Sequence, residues 1–350
     1  MAKGANRKKL LLEEFEPRSE LVVAEHRIER ARFPAIDAHN HLSGWATPDG
    51  IARLVAEMEA CNVKAVFHLP MAPDRPVPED VRLFKQAWPR RFYVLAVLAW
   101  DTTLAEGGDA GVRLAADLER AVRQGAQGLK IHKSLGLSVR DAAGRLVMPH
   151  DPRIAAVFAK CAELGVPCLY HVADPKAFFR PLDRFNERYE ELQANPSWHF
   201  YGKDFPTYEA LMESQERLIE AHPTTAFQSA HLASSSEDLG YVAGLLNRYP
   251  NLHVDFSARI AELGRQPYTA REFFVRYADR IVYATDCTPE AEVQRTYMRF
   301  LETRDEWFPY LPGDARGQQG RWRICGIGLP DDVLEKVYFR NAERLWGPPT

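Results

Sequence analysis

Short apolar segments recur along the chain at 35–39, 63–69, 92–99, 125–132, 166–171, 225–230, 252–256 and 281–285, and helix-like stretches fill the intervals. Thr47-Pro48-Asp49-Gly50 predicts a helix start before 51–61. Residues 112–124 keep apolar positions at helical spacing and stop at Gly125, while Asp151-Pro152 opens a stretch that closes at Leu164-Gly165. Strands alternating with helices imply βαβ units and a parallel sheet. Eight such units close into a barrel whose strand C-termini converge on one mouth.

The predicted fold is therefore α/β, a (β/α)8 TIM barrel in a single domain spanning 33–347. A charged N-terminal extension, 1–32, precedes it, packing outside the barrel or fraying. One segment exceeds a minimal repeat: 174–205, an insertion after the fifth strand that carries Phe178, Phe179, Phe185, Tyr189, Trp198, Phe200 and Tyr201 among Arg and Glu. It is expected either to cover the mouth as a lid or to bury its rings in a homodimer interface.

Composition narrows the class. With 350 residues and 46% hydrophobic content the chain can bury one large core, and its net charge of -3 leaves no electrostatic footprint for nucleic acid or an anionic membrane. A small-molecule partner is expected. No secretory-type apolar segment follows Lys3, Arg7, Lys8 and Lys9, so the expected location is cytoplasmic. The 5 cysteines (Cys61, Cys161, Cys168, Cys287, Cys325) lack CxxC pairs, which argues for reduced thiols rather than disulfides or a thiolate zinc site.

Chemistry concentrates where the apolar runs end. His39 and His41 occupy i and i+2 at the close of the first run, so on a strand both imidazoles project to one side. Such a pair arises easily by chance among 11 histidines. Three later runs, however, also end on chemistry-bearing residues, at His171, His231 and Asp286. Neutral imidazoles with a carboxylate suit zinc or a similar transition ion.

In the order Asp37-Ala-His39-Asn-His41, Gly128-Leu-Lys130, His171, His231, Thr285-Asp286 and a closing Asn341-Ala-Glu-Arg-Leu345, the chain resembles the amidohydrolase superfamily over residues 33–347. The likeness is to the amidohydrolase-related branch that contains aminocarboxymuconate semialdehyde decarboxylase and the resorcylate decarboxylases. It implies one divalent metal ion, zinc before manganese or another transition metal, held by His39, His41, His171 and Asp286. His231 would sit beside the ion and act with Asp286 in catalysis. A binuclear site bridged by carbamylated Lys130, with His231 as a ligand, is the alternative.

Lys130 is otherwise an ammonium for a substrate carboxylate or for Asp286. Lys133, Arg259 and Asp174 are further candidate substrate contacts. Arg259 could equally be paired with Glu262 or Asp255, and Asp174 could orient an imidazole or cap the next helix. The remaining histidines, His132 and His68 among them, are expected to be structural or exposed. The expected activity is metal-dependent hydrolysis of a small anionic amide, lactone or ester. Non-oxidative decarboxylation of an unsaturated or aromatic acid is the alternative, and a non-catalytic binding barrel a third reading.

Overall fold

The computed structural model describes residues 9–287, 290–312 and 319–350. Among the described residues nine short parallel strands run in chain order: β1 (Ala35–Asp37), β2 (Val63–His68), β3 (Phe92–Val94), β4 (Ala96–Val97), β5 (Leu129–Ile131), β6 (Cys168–Tyr170), β7 (Phe227–Ser229), β8 (Leu252–Asp255) and β9 (Ile281–Val282). β3 and β4 are halves of one barrel strand parted at Leu95, which makes eight in all. The Leu95 amide bonds back to His68 O at 3.2 Å, and the Ala96 amide bonds forward to Gly128 O at 2.8 Å. Closure comes from Ala38 N to Tyr283 O (3.0 Å) and Asp286 N to His39 O (2.8 Å), which join the last strand's extension to the first. The (β/α)8 expectation holds, with each strand shorter than its apolar run.

Side chains alternate as the pleat requires. Ile36, Phe67, Leu95, Leu169 and Val282 fill the barrel interior with Trp346, whereas Val66, Val94, Ile131, Tyr170 and Val254 face the surrounding helices. Those helices are α1 (Pro48–Cys61), α2 (Ala110–Arg123), α3 (Ala155–Leu164), α4 (Tyr208–Ala221), α5 (Leu239–Arg248), α6 (Pro267–Arg276), α7 (Ala291–Glu302) and the terminal α8 (Asn341–Trp346). The Thr47 start is as read: its hydroxyl accepts from Gly50 N at 3.1 Å, and the buried positions Ile51, Leu54, Val55, Met58 and Cys61 keep helical spacing. Asn341 explains the closing motif, since its Nδ2 donates to Ala278 O (2.6 Å) and Ile281 O (2.7 Å) and pins α8 beneath β9.

The insertion divides its aromatic rings. Phe178, Phe179 and Phe200 are buried, while Phe185 and Tyr201 stay exposed and Trp198 is 41% exposed. Its anchor is Arg188, fully buried and ion-paired with Glu191 at 2.7 Å and with Glu262 beyond β8. The N-terminal segment runs over the outside of the barrel, where His26 N donates to Asp305 at 2.7 Å and Ala31 N to Cys61 O at 3.0 Å.

Past β7 the backbone makes a left-handed turn. His231, Leu232, Ala233 and Ser234 all have φ between 54° and 57°, and Ala258 and Asp286 are left-handed beyond β8 and β9 at 53°. Left-handed conformation costs a non-glycine residue roughly 1–2 kcal/mol. Bonds from other elements hold the turn in place. Gln215 Nε2 donates to Ala233 O (3.1 Å), the Tyr208 hydroxyl to Ser234 O (2.9 Å) and Ser234 Oγ to Ala173 O (2.7 Å).

Two stability outcomes are expected. A Cβ on Gly128 would meet the Trp346 ring at 2.4 Å and Pro167 O at 2.6 Å, so Gly128→Ala should lose about 2–3 kcal/mol in urea unfolding. Ala233→Gly, by relieving left-handed strain against a larger unfolded-state entropy, should instead gain up to about 1 kcal/mol at unchanged m-value.

Candidate metal centre

The barrel mouth gathers His39, His41, His171, His231, Lys130 and Asp286. Asp286 is the hub: its Oδ1 lies 3.3 Å from His41 Nε2 and 3.8 Å from His39 Nε2, and its Oδ2 lies 3.6 Å from His231 Nε2. The second nitrogen of each of these histidines is committed elsewhere. His41 Nδ1 donates to Leu69 O at 2.8 Å and His231 Nδ1 to Ser257 O at 2.7 Å, while His39 Nδ1 faces Ser257 Oγ at 3.1 Å and Asp255 Oδ2 at 3.4 Å. Partners of this kind fix the Nδ1–H tautomer and turn Nε2 lone pairs toward Asp286.

Electrostatics suit a cation. Burial pushes the His39, His171 and His231 pKa values down, helped by Lys130 at His39, by His231 at His171 and by Arg259 at His231, so all three rings are neutral near pH 7. For Asp286 burial alone acts upward; positive charge at His39, a hydrogen bond from His41 and positive charge at His231 hold the carboxyl well below its usual range, so its ionised form belongs with a cation among these rings. Neutral imidazoles with an ionised carboxylate are the protonation states metal ligands need. His39, His231 and Asp286 each offer a donor atom, all within 4.8 Å of one another, an arrangement that could hold a metal ion.

This grouping differs from the set implied by the resemblance. It includes His231, expected beside the ion, and leaves out His41 and His171, both expected as ligands. For His171 the reason is local: its Nε2 donates to Ala173 O at 2.8 Å, and its ring packs edge-on against His231 with centroids 4.4 Å apart.

Lys130 is fully buried, with Nζ 3.1 Å from His39 Nε2 rather than on Asp286, and burial lowers its pKa to about 8. Lys133 and Asp174 pair with each other at 2.6 Å, so the mouth gains no net charge from them. Asp174 Oδ1 also stands 4.0 Å from His171 Nε2, whose hydrogen bond goes to Ala173 O instead. Arg259 is buried and bonds through Nη1 to Ala258 O at 2.8 Å. Neither proposed acid takes it: Glu262 pairs with Arg188, and Asp255 faces His39.

Three residues escaped the sequence reading. His132, expected to be structural, lies 5.7 Å ring to ring from His41 with its Nε2 on Pro70 O, and burial lowers its pKa to about 3. Its position two residues after Lys130 on one strand face was the available sign. Asp255 and Ser257, which support His39 and His231, carried no sign beyond their place at the end of a strand. His68 lies 3.4 Å from Asp80 with its ring tilted against Phe84 at 4.5 Å.

A family model described as amidohydrolase matches residues 36–347. No curated protein matches the chain in sequence. Among solved structures the fold is similar to 2,6-dihydroxybenzoate decarboxylase from Rhizobium, at 16% identity and TM-score 0.52 over 90% of this chain and 98% of that one. It is similar to dihydroxybenzoic acid decarboxylase from Polaromonas sp. JS666 with bound manganese and 2-nitroresorcinol, at 14% identity and TM-score 0.53 over 90% and 97%. It also matches 5-carboxyvanillate decarboxylase from Novosphingobium aromaticivorans DSM 12444, complexed with manganese and 4-hydroxy-3-methoxy-5-nitrobenzoic acid, at 14% identity and TM-score 0.52 over 91% and 98%. With the family's match running through almost the whole barrel and its histidine and aspartate strand ends gathered at one mouth, the chain belongs to the amidohydrolase family of metal-dependent enzymes.

Proposed function

We propose that the protein is a metal-dependent non-oxidative decarboxylase of a small aromatic or unsaturated carboxylic acid. The reading rests on one observation, the full-length fold likeness to manganese-bound aromatic-acid decarboxylases, joined to a mouth whose buried Lys130 and Arg259 suit an anionic ligand. Hydrolysis of an amide, lactone or ester, the first expectation from sequence, would use the same side chains and is the second reading.

On this reading His39, His231 and Asp286 hold one divalent ion, manganese or zinc, with His41 against Asp286 and His171 packed on His231. The ion supplies Lewis acidity toward a substrate hydroxyl or carboxylate. Asp286, ionised and flanked by neutral imidazoles, accepts the hydroxyl proton and returns it to the ring carbon as the carbon–carbon bond breaks and CO2 leaves. Arg259 and Lys130 are the cations available to orient the substrate carboxylate. Above the rim, Trp198 stacks over Lys133 Nζ at 5.8 Å, and Lys133 is tied to Asp174 beside His171. This chain of contacts favours the lid over the dimer interface for that part of the insertion.

Manganese-loaded protein incubated in D2O with hydroxybenzoic acids and, in parallel, with lactones and amides should release CO2 from an acid and leave one deuterium at the vacated carbon. Ring opening of a lactone without CO2 would instead make the enzyme a hydrolase. Asp286→Asn should lower kcat at least 1,000-fold in whichever reaction is found. For the lid, Trp198→Ala should raise KM about tenfold with little change in kcat or melting temperature; an unchanged KM with altered mass in sedimentation would assign Trp198 to an interface between copies.

A further inference from the structure

A narrow polar column runs through the largely apolar barrel interior. At its base Trp346 Nε1 donates to Gln228 Oε1 at 2.8 Å. Gln228 Nε2 in turn donates to Asp255 Oδ2 at 2.8 Å, the same oxygen that faces His39 Nδ1. The other oxygen, Asp255 Oδ1, accepts from Ser257 Oγ (2.6 Å), His231 N (3.0 Å) and Ser257 N (3.1 Å). Gln228 and Asp255 are completely buried, and the Trp346 ring sits edge-on to Phe67 at 5.1 Å. Interior positions around them, Ile36, Leu169 and Val282, are aliphatic.

An apolar residue at Gln228 would fill this space without needing a partner at either end, whereas a buried amide is costly unless both ends are satisfied. Here both ends are. The acceptor end takes its hydrogen from the terminal helix α8, and the donor end fixes one rotamer of Asp255. That rotamer sets both acceptors at His39 Nδ1, Asp255 Oδ2 at 3.4 Å and the Asp255-bound Ser257 Oγ at 3.1 Å, which retain the hydrogen there and leave the Nε2 lone pair facing Lys130 Nζ at 3.1 Å and Asp286.

We propose that Gln228 and Trp346 are positioning residues for the metal centre. Through Asp255 they hold His39 in the Nδ1–H tautomer with Nε2 turned toward Asp286, so that seating α8 under the barrel also sets the ligand geometry at the opposite end. The inference rests on the metal reading above for its consequence, but the tautomer itself exists without metal.

Two volume-conserving variants, Gln228→Met and Trp346→Phe, test this in the full-length protein. Side-chain 15N NMR of the metal-free form reads the His39 tautomer, assigned by His39→Gln, and competition against a chelator reads the affinity for Mn2+ alone. Thermal melting of the metal-free form serves as the folding control. Gln228→Met should give mixed His39 tautomers and about tenfold weaker Mn2+ binding, with Trp346→Phe changing both in the same direction by less. A single unchanged tautomer and Mn2+ affinity within twofold of wild type in both variants would overturn the proposal, even if the melting temperature falls. Wild type that binds no Mn2+ would sink the metal reading alone, and the tautomer would still decide the column.

Discussion

The hydrogen bond from the Asp286 amide to the His39 carbonyl, 2.8 Å long, closes the barrel between its last and first strands. Both residues belong to the metal centre. Closing the barrel and assembling the site are thus one event, because the loop of backbone that brings the ninth strand segment home also delivers the carboxylate to the imidazoles. Asp37 supports the same seam from outside. Its carboxylate accepts from Thr285 N (2.9 Å), Thr285 Oγ1 (2.7 Å) and Gln294 Nε2 (2.7 Å), tying β1 and the end of β9 to α7. Barrels of this kind put chemistry at strand C-termini because each strand end is held by its neighbours while the following loop remains free to vary.

What could be read from sequence follows from how local each cause is. The eight apolar runs and the Thr47 cap depend on nearest neighbours along the chain, so strand order and helix starts were legible. The five residues ending those runs were legible as a set because strand ends in a parallel barrel meet. Partnerships across the mouth were not. Lys133 and Asp174 read as two substrate contacts, yet they lie 41 residues apart and pair with each other. Arg259 was weighed against Glu262 or Asp255, but Arg188 of the insertion takes the first and His39 the second. The left-handed turn at 231–234 was equally hidden: none of its residues is glycine, and bonds from Gln215, Tyr208 and Asp255 impose the conformation.

Strain and support at the mouth are therefore linked. His231 and Asp286 both sit at positive φ, a backbone state that aims a side chain where a regular strand extension would not. The cost is borne by hydrogen bonds whose partners lie on α4, β8 and the loop after β6. A site built this way is rigid because relaxing either residue would break bonds in elements that are themselves packed, and rigidity keeps three Nε2 atoms directed at one carboxylate.

The charge balance at the mouth bears on the choice of substrate. Asp286, Asp255 and Asp174 are matched by Lys130, Lys133 and Arg259, and the surrounding imidazoles are held neutral by burial. On the proposed reading, a divalent ion entering such a balanced site leaves it positive, and none of the neutral rings can offset that charge without first losing a proton. An anionic carboxylic acid offsets part of that charge, and a proton released from its hydroxyl stays in the site on Asp286, next to the carbon that needs it. A neutral lactone or amide would leave the buried charge uncompensated, an arrangement a low-dielectric site tolerates poorly. The same balance that makes the ligands ready for metal thus favours a hydroxylated carboxylic acid as the molecule that follows it in.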